Sequence, residues 1–392
     1  MAVSTEVDPR LRELLEDYPE DLFTDEFYRS WELVDRYGRN WALRLARELR
    51  LDEILEVPRT LDQIREEGGF VPAFDRALGW ILAMLIEADH VRREPGERFV
   101  WRTQGPPVDR LEDLRRETLA TDPANEAALD LLDAAGEAYP RVARGEVSGQ
   151  SALFGLGKTG LWLRYFHNDN PIYSVNNRLA AEAAAGRLPE GPFRILEVGG
   201  GGASGTRALL EALDRDDRLR DLERYRFTEP SPFFRRRAER ELRSDSPELP
   251  FEFGSVDIDE EFADQGVEPS SFHLVYAVNV LHVATDLDFS LSEIATSLRP
   301  GGWLIAAESI RPFSDRPTST EMIFLILEDF CEVELDPERR PNPGFLTAES
   351  WRRLFDDAGF QRVAVEPDAE AIREVYERFC TGVVVGRVPA EP

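Results

Sequence analysis

Cysteine, lysine and histidine are scarce in this sequence. The 392 residues include 2 cysteines, 4 histidines and a single lysine, Lys158, so arginine supplies nearly all of the basic charge. Cys331 and Cys380 cannot form the disulfide framework of a small secreted protein. Neither they nor the scattered histidines have the spacing of a metal site. The sequence therefore predicts a protein of a reducing, cytoplasmic setting with no bound metal.

The chain also lacks net positive charge and long hydrophobic runs. Its 76 acidic residues outnumber the 47 arginines and lysines, and the formal net charge is -29. Such a surface repels nucleic acid and anionic membranes. The longest apolar run, Trp80 to Ile86, is too short to span a bilayer, and no signal sequence is apparent. We therefore expect a soluble protein that has neither nucleic acid nor membrane as a partner.

Residues 1–105 have the pattern of a helical domain that ends in a hairpin. The first half is charged and amphipathic, which predicts helices. Thr60 to Gly69 has the pattern of a short capped helix, and Asp75 to Asp89 that of a strongly apolar helix. Alternation from His90 to Trp101 around Pro95-Gly96 indicates a hairpin, which completes a winged helix-turn-helix. Acidic side chains on these helices would repel phosphates, so we do not expect a DNA-binding regulator.

Residues 106–190 form a second predicted unit, a helical connector that ends in an aromatic segment. The stretch up to residue 150 is rich in Asp, Glu and Ala, and we interpret it as helical. Leu161 to Tyr173 then concentrates aromatic side chains. We weigh two interpretations of this segment equally: a packed hinge between domains and the wall of a substrate pocket. The predicted substrate-binding residues of this wall are Tyr165, Phe166, Tyr173 and Asn176.

A glycine cluster between a strand pattern and a helix pattern is the most informative feature of the chain. Ile195, Leu196 and Val198 form the short apolar run of a strand that is covered on both faces. Apolar residues recur at helical spacing from Thr206 to Leu213. Between them, Gly199 to Gly202 allow a sharp turn and a close approach of a ligand to the backbone. The segment therefore predicts a loop that binds a nucleotide cofactor.

Glu197 bears on which cofactor the loop holds. A carboxylate at this strand end disfavours a pyrophosphate and suits a ligand with a cationic amino acid tail, such as S-adenosylmethionine. The spacing Glu197-x-Gly199-x-Gly201-x-Ala203 resembles the first motif of class I S-adenosylmethionine-dependent methyltransferases. A second frame of glycines, at 200, 202 and 205, matches the dinucleotide pattern G-x-G-x-x-G. A nicotinamide-dependent oxidoreductase therefore stays open as an alternative.

Residues 191–392 alternate between strand and helix patterns, which predicts a Rossmann-like, doubly wound parallel sheet. After the strand before the glycine loop, we predict strands at 226–229, 251–257, 272–280 and 302–309. Ligands of such sheets bind at the carboxyl ends of the strands. The predicted fold class is α/β, a class I methyltransferase sheet preceded by a mostly helical winged-helix domain. Residues 191–392 are then the catalytic domain that binds S-adenosylmethionine.

Polar residues at the strand ends supply further predicted cofactor contacts. Glu229 is placed to accept hydrogen bonds from two ribose hydroxyls, unless it only caps the helix that follows. Asp257 is placed to receive an adenine amino group, unless it only stabilises a turn. The predicted cofactor-binding residues are Glu197, Gly199, Gly200, Gly201, Glu229, Pro230, Asp257, Ile258 and Asn279.

His282, which follows the fourth strand, is the predicted catalytic base. That strand end faces the same crevice as the glycine loop, and Glu308 ends the neighbouring strand. A carboxylate beside one ring nitrogen would fix the tautomer and stabilise the imidazolium. The other nitrogen would then take a proton from a hydroxyl or an acidic carbon. We predict His282 and Glu308 as a catalytic pair, with a purely structural histidine as the alternative.

Parts of this sequence resemble two protein families. Residues 193–365 resemble the C-methyltransferase domains of modular polyketide synthases, through the segments 227–234, 257–259, 264–272, 279–282 and 299–302 and through Glu308. In that family the histidine and glutamate that match His282 and Glu308 form the catalytic pair. The order of domains, winged helix first, is similar instead to small-molecule O-methyltransferases, whose matching histidine deprotonates a hydroxyl. That similarity implies that residues 1–105 are a dimerisation domain and that the protein is a homodimer.

The resemblances leave the methyl acceptor open. The sequence shows no attached acyl-carrier or ketosynthase module, and it has Val283-Ala-Thr-Asp286 where plant O-methyltransferases have a histidine-aspartate-tryptophan run. We expect a methyltransferase of a small-molecule or carrier-bound acceptor, with oxygen slightly favoured over carbon. The alternatives are a C-methyltransferase that acts in trans on a polyketide-type acyl intermediate and a non-catalytic protein that senses S-adenosylmethionine. Residues 313–345, with Met322 as a predicted substrate contact, resemble a substrate-covering segment or form an ordinary packing segment.

Overall fold

The computed structural model describes residues 9–16, 18–102, 109–155 and 157–390. They form a helical N-terminal region and an α/β region with a seven-stranded sheet. No helix in these ranges is long and apolar enough to cross a membrane. The helices are α1 (Pro9–Leu14), α2 (Asp25–Glu48), α3 (Leu51–Ile54), α4 (Leu61–Gly68), α5 (Asp75–Glu87), α6 (Leu111–Thr121), α7 (Glu126–Ala143), α8 (Gly149–Phe154), α9 (Thr159–Tyr165), α10 (Pro171–Ala185), α11 (Ser204–Arg215), α12 (Pro232–Asp245), α13 (Leu287–Ser297), α14 (Glu321–Phe324), α15 (Glu328–Cys331), α16 (Ala348–Asp357) and α17 (Ala369–Val375).

Helix α2 organises the N-terminal region. It begins at Asp25 because the Thr24 side chain accepts a hydrogen bond from the Phe27 backbone N–H at 3.1 Å. Its apolar face packs against α5, α6 and α7. Helix α4 begins with a capping box, in which Thr60 and Gln63 each accept a hydrogen bond from the backbone N–H of the other. Residues 1–8, for which helices were also predicted, lie outside the described residues.

A two-stranded hairpin follows α5. Strands β1 (Val91–Glu94) and β2 (Arg98–Trp101) pair antiparallel across a turn in which Gly96 has a left-handed φ of 79°. The capped helix, the apolar helix and the hairpin that the sequence predicts are therefore all present. The assignment of this region as a winged helix that dimerises stays a prediction.

Helices α6 to α10 connect the hairpin to the sheet, which agrees with the helical connector that the sequence predicts. The predicted boundary between residues 105 and 106 lies outside the described residues. Helix α10 packs against α11 and against strands of the sheet. The connector thus reaches the carboxyl edge of the sheet, where the predicted ligand site lies.

The large sheet has the strand order β5-β4-β3-β6-β7-β9-β8. Its first five strands run parallel, as predicted, and β3 lies in the middle of them with its apolar side chains buried. The sheet strands are β3 (Phe193–Val198), β4 (Leu222–Thr228), β5 (Phe251–Gly254), β6 (Phe272–Val278), β7 (Leu298–Ser309), β8 (Gln361–Glu366) and β9 (Thr381–Arg387). The predicted α/β class and the predicted parallel run of five strands are therefore confirmed.

Two details of the predicted sheet are wrong. The sequence patterns did not predict β8 and β9, and β9 runs antiparallel to both of its neighbours, so the sheet is not wholly parallel. Strand β5 ends at Gly254 rather than at Asp257. The chain leaves the sheet there because Gln265 holds the loop, accepting from the Asp257 N–H at 2.7 Å and donating to its carbonyl at 2.8 Å.

The segment between β7 and α16 is mostly irregular. It contains the short helices α14 and α15 and carries buried aromatic side chains, among them Phe330 and Phe345. Arg311 is buried in this segment and forms an ion pair with the fully buried Glu321. The segment packs on the turn that follows β6, and it therefore covers one side of the predicted active site.

Candidate active site

A cleft of about 520 Å³ lies at the carboxyl ends of the parallel strands. This volume is within the roughly 300–1,000 Å³ typical of small-molecule sites. Eleven of the predicted site residues line it: Phe166, Tyr173, Glu197, Gly199, Gly200, Gly201, Glu229, Pro230, Asp257, Ile258 and Asn279. The topology of the sheet thus brings the predicted cofactor residues together in a single cleft.

The glycine loop takes a path that side chains would block. Gly199 and Gly201 have left-handed φ angles of 63° and 51°. A Cβ on Gly200 would lie 2.3 Å from the buried ring of Phe227. In contrast, a Cβ on Gly202 would meet no atom within 4 Å. The conformation therefore requires glycine at 199 and 201, which belong to the methyltransferase-like frame, and also at 200. It does not require glycine at 202, so the complete dinucleotide frame is not needed.

Glu229 ties the glycine loop to the end of β4. One carboxylate oxygen accepts from the Gly201 N–H at 3.0 Å, and the other accepts from the Ser231 N–H at 2.8 Å. The side chain is buried, and burial raises its pKa. Each oxygen has two lone pairs, so the carboxylate can still accept hydrogen bonds from a ribose. Glu229 therefore supports the loop and also faces the cleft.

Glu197 places a second carboxyl group at the floor of the cleft. Only 2% of the residue is exposed, and its Oε2 accepts hydrogen bonds from Thr206 at 2.7 Å and from Tyr225 at 2.8 Å. Burial raises the pKa of Glu197 to about 7. Binding a cationic group there would stabilise the ionised carboxylate.

The loop after β5 forms an apolar wall of the cleft. Val256 and Ile258 are buried in this wall, whereas Asp257 is exposed at its edge. The Asp257 carboxylate accepts a hydrogen bond from the Asp259 N–H at 3.0 Å, as expected for a turn acid. The wall suits a planar aromatic ring such as adenine.

The cleft as a whole fits S-adenosylmethionine. Glu197 suits the cationic amino acid tail, Glu229 the ribose, and the wall around Ile258 the adenine. Gly199, Gly200, Gly201 and Gly202 all line the cleft, so a ligand can approach the backbone of the glycine loop without an intervening side chain. In the described part of the chain, no three or more His, Cys, Asp or Glu side chains are grouped so that they could hold a metal.

We expect the affinity for S-adenosylhomocysteine, whose amino acid tail carries the same ammonium group as the methyl donor, to rise with pH through about 7. Below that pH the Glu197 carboxyl group is mostly neutral, and above it the carboxylate attracts the amino group. Titration calorimetry should give a dissociation constant up to ~10-fold lower near pH 8 than near pH 6. Glu197→Gln should remove most of this dependence. An equally steep dependence in that variant would show that another group is responsible.

His282 and Glu308 form a buried pair beside the cleft. His282 lies in a single 3-10 turn, Leu281–Val283, and is 6% exposed, while Glu308 is 0% exposed at the end of β7. The imidazole Nδ1 is 2.6 Å from Oε2 of Glu308. The other oxygen, Oε1, accepts from the backbone N–H groups of Val280 at 3.2 Å and Leu281 at 2.8 Å. The carboxylate therefore fixes Nδ1 as the protonated nitrogen and leaves Nε2 for proton exchange.

Aromatic side chains cover the imidazole. The ring centroid of Phe345 is 5.0 Å from that of His282, and the centroid of Phe330 is 5.7 Å away. His282 does not line the cleft itself, but its neighbours Val280 and Val283 do. The base thus lies in an apolar enclosure directly behind the cleft wall.

The predicted substrate contacts fall into two groups. Phe166 and Tyr173 line the cleft, and Asn176 lies just behind it, donating a hydrogen bond to Asn279 at 3.0 Å. Tyr165 and Met322 are instead buried in the core of the helical region, so neither side chain forms the predicted pocket wall. The spacing of apolar residues in the sequence could not distinguish residues that line the cleft from residues buried in the core, because both kinds recur at the same intervals.

Several residues of the site were not predicted. Phe154, Ser204, Phe234 and Asp329 also line the cleft, and they come from four separate elements of the chain. Nothing in their local sequence distinguishes them from surface or core residues. Asn279 has a left-handed φ of 54°, which asparagine tolerates better than most residues, and this conformation presents it to the cleft.

Comparison with known proteins gives one family match and several relatives. Residues 196–304 match the methyltransferase domain family. A reducing polyketide synthase of Preussia isomera, Preu2, is 31% identical over 261 residues, which are 66% of this chain. A highly reducing polyketide synthase of Aspergillus terreus, valA, is 31% identical over 250 residues, or 62% of this chain. The chain spans about a tenth of the length of these curated relatives, 10% in each case.

Solved structures share the fold over nearly the whole chain. The CurJ carbon methyltransferase superposes with a TM-score of 0.75 at 23% identity and covers 97% of each chain. The DszA carbon methyltransferase also gives 0.75, at 24% identity over 97% of this chain and 93% of the other. The trans-methyltransferase CalH, solved in complex with SAH, gives 0.59 at 21% identity over 90% of each chain. These likenesses establish a common fold that includes the helical N-terminal region.

Proposed function

We propose that this S-adenosylmethionine-dependent methyltransferase, which is related to the C-methyltransferase domains of polyketide synthases, methylates the α-carbon of a 3-oxoacyl thioester. The methyl donor supplies an electrophilic methyl group when it is bound. The acceptor must then supply a nucleophile. The α-carbon of a 3-oxoacyl thioester lies between two carbonyl groups and becomes nucleophilic when it loses a proton. The chain's part is to hold both molecules in line and to remove that proton.

The buried His282–Glu308 pair carries this proposal. Nε2 of His282 takes the α-proton, and the pair of electrons from the broken C–H bond delocalises into the acceptor carbonyls. Glu308 stabilises the resulting imidazolium through its 2.6 Å contact with Nδ1. The backbone N–H groups of Val280 and Leu281 hold the Glu308 carboxylate in place. A preorganised base of this kind typically contributes about 10²–10⁴-fold to the rate.

The surroundings of His282 favour a carbon acid. Phe330 and Phe345 pack against the ring and leave His282 only 6% exposed, which limits the access of water that would otherwise quench a carbanion-like nucleophile. The relatives point the same way: the curated ones are polyketide synthases, and two of the solved structures are carbon methyltransferases. These comparisons do not support the preference for oxygen that the domain order suggested. We therefore place the methyl group on carbon.

The acceptor reaches the chain on a carrier, in our proposal. The curated relatives are about ten times longer than the matched region, so in them the matched region is one part of a larger synthase. One solved relative of the same fold is described as a trans-methyltransferase. We propose that the present chain accepts its thioester from a separate carrier, and that it works as a homodimer through residues 1–105.

Proton abstraction can be tested without methyl transfer. A 3-oxoacyl thioester analogue incubated in D₂O with the protein and S-adenosylhomocysteine should exchange its α-hydrogens faster than in buffer, as followed by NMR. The 2,2-dimethyl analogue has no α-hydrogen and serves as the control for binding without exchange. A 3-hydroxyacyl analogue tests the oxygen alternative. Methylation of its hydroxyl, with no exchange on the 3-oxoacyl compound, would overturn the carbon assignment.

A further inference from the structure

The turn that carries His282 is held from two opposite sides. On its N–H side, Glu308 accepts from the backbone of Val280 and Leu281. On its carbonyl side, Arg340 donates to the carbonyl of His282 at 2.8 Å, to that of Ala284 at 2.7 Å and to that of Thr285 at 3.3 Å. Arg340 itself neither lines the cofactor cleft nor belongs to the catalytic pair.

Arg340 is an unusual residue to find here. It is 2% exposed, and the hydrogen bonds that its side chain donates to described residues all go to backbone carbonyls. Its Nε is buried with no hydrogen-bond partner among the described residues. Burial lowers the pKa of this guanidinium to about 10. Burying a cation without a directly bonded carboxylate is costly, so stability alone is a poor reason for an arginine at this position.

The geometry of the turn explains what a guanidinium contributes. A single 3-10 turn leaves carbonyl groups at its end without partners inside the turn. The planar fork of arginine can donate to several carbonyls at once in a fixed orientation, which an ammonium group cannot do. Arg340 therefore restrains the peptide group that follows His282 and the two after Ala284 and Thr285, and with them the direction of the His282 Cα–Cβ bond.

Arg340 is itself well anchored. It exchanges two backbone hydrogen bonds with Asp336, at 3.0 and 2.8 Å. The same segment carries Phe345, which packs on the imidazole. The far end of the turn is fixed as well, because Asp259 accepts from the Thr285 N–H at 2.8 Å and from its hydroxyl at 2.9 Å. The segment that covers His282 thus also sets the position of its turn.

We propose that Arg340 is a positioning residue for His282. Arg340 holds the carbonyl side of the catalytic turn, so that the imidazole keeps its contact with Glu308 and its orientation toward the acceptor. The proposal rests on the base role of His282 given above. Arg340 itself touches neither acceptor nor methyl donor.

Arg340→Met tests this role, with Arg339→Met as the matched control. Arg339 is the adjacent residue, but it lies nearer the surface and pairs with Asp288 at 2.8 Å. We expect Arg340→Met to lower kcat by about 10- to 100-fold, the usual effect of a misplaced catalytic group. KM for the acceptor and the affinity for S-adenosylhomocysteine should stay within about twofold of the wild type. Arg339→Met should change none of these quantities by more than about twofold.

A spectroscopic measurement separates positioning from a general loss of structure. In protein labelled with ¹⁵N-histidine, the Nδ1–H signal of His282 is assigned by its absence from His282→Ala; only 4 histidines are present. Arg340→Met should shift or broaden this signal and leave the other histidine signals unchanged. In a His282→Ala background, Arg340→Met should lower the residual turnover by no more than about twofold, because it acts through His282.

Arg340→Lys decides the question if the methionine variant does not fold. This variant keeps the charge but replaces the planar guanidinium by one ammonium group. We therefore expect a folded protein in which the His282 Nδ1–H signal is shifted as in Arg340→Met and kcat is lowered at least several-fold. Wild-type kcat and an unshifted Nδ1–H signal in a folded Arg340 variant would overturn the proposal. If the wild type transfers no methyl group to carbon but the signal still shifts, the proposed function fails and the positioning role stands.

Discussion

Replacing His282 with alanine should lower kcat for methyl transfer by ~10²–10⁴-fold, the range that a positioned general base contributes. The imidazole is the only group that Glu308 orients through a side-chain contact in the described part of the chain. The α-proton would then have to leave to water, from which the aromatic enclosure of Phe330 and Phe345 separates the site.

The same variant should still bind the methyl donor. His282 does not line the cleft, so calorimetry with S-adenosylhomocysteine should give an affinity within about twofold of the wild type. His273→Ala is the matched control. His273 lies at the start of β6, the strand that precedes His282, and its Nδ1 accepts a hydrogen bond from the Arg194 N–H at 3.0 Å. Turnover near the wild-type value in His282→Ala would remove the base from the mechanism, and an equal loss in His273→Ala would point to a general structural effect.

Gly200→Ala should give the second large effect, a loss of both stability and donor affinity. Its new methyl group would lie 2.3 Å from the buried ring of Phe227, and that ring is packed between strands and cannot move away freely. Forcing an atom into such a site typically costs about 1–3 kcal/mol. The loop would relieve the overlap by moving into the cleft, where it displaces the donor. We expect the affinity for S-adenosylhomocysteine to fall at least ~10-fold.

Gly202→Ala is the control for that experiment. A methyl group there meets no atom within 4 Å, and the residue does not have a left-handed φ. Thermal unfolding and calorimetry on the two variants should therefore differ clearly, with Gly202→Ala close to the wild type. Equal losses in both variants would mean that the loop needs glycine for flexibility rather than for its close contact with Phe227.

The parts of the site that follow from local sequence pattern could be predicted. Short apolar runs that end in Glu197, Glu229 or Asn279 indicate parallel strands, and the carboxyl ends of such strands meet at one edge. His282 and Glu308 could be paired for the same reason, because His282 follows β6 and Glu308 lies at the carboxyl end of the adjacent strand β7. The glycine cluster predicted the sharp turn, and the structure shows that positions 199, 200 and 201 require glycine whereas 202 does not.

The remaining parts depend on contacts between distant segments. Tyr165 and Phe166 are adjacent in an aromatic run, yet only Phe166 lines the cleft, because packing on the helical core decides which ring turns inward. Asp257 was placed at a strand end, but Gln265 ends the pairing earlier. Arg340 lies in an irregular segment rich in proline and charge, where no periodicity marks a buried residue. Its role becomes visible only once the carbonyls of the turn are seen beside it.

The most direct test is the position of the transferred methyl group. The protein is incubated with a 3-oxoacyl thioester and with donor labelled with ¹³C in the methyl group, and the product is analysed by mass spectrometry and by ¹³C NMR. We predict one added methyl group, bonded to the α-carbon, with its signal coupled to the remaining α-hydrogen. A labelled methyl group bonded to oxygen, or no transfer by a folded protein that binds S-adenosylhomocysteine, would contradict the assignment of this chain as a C-methyltransferase.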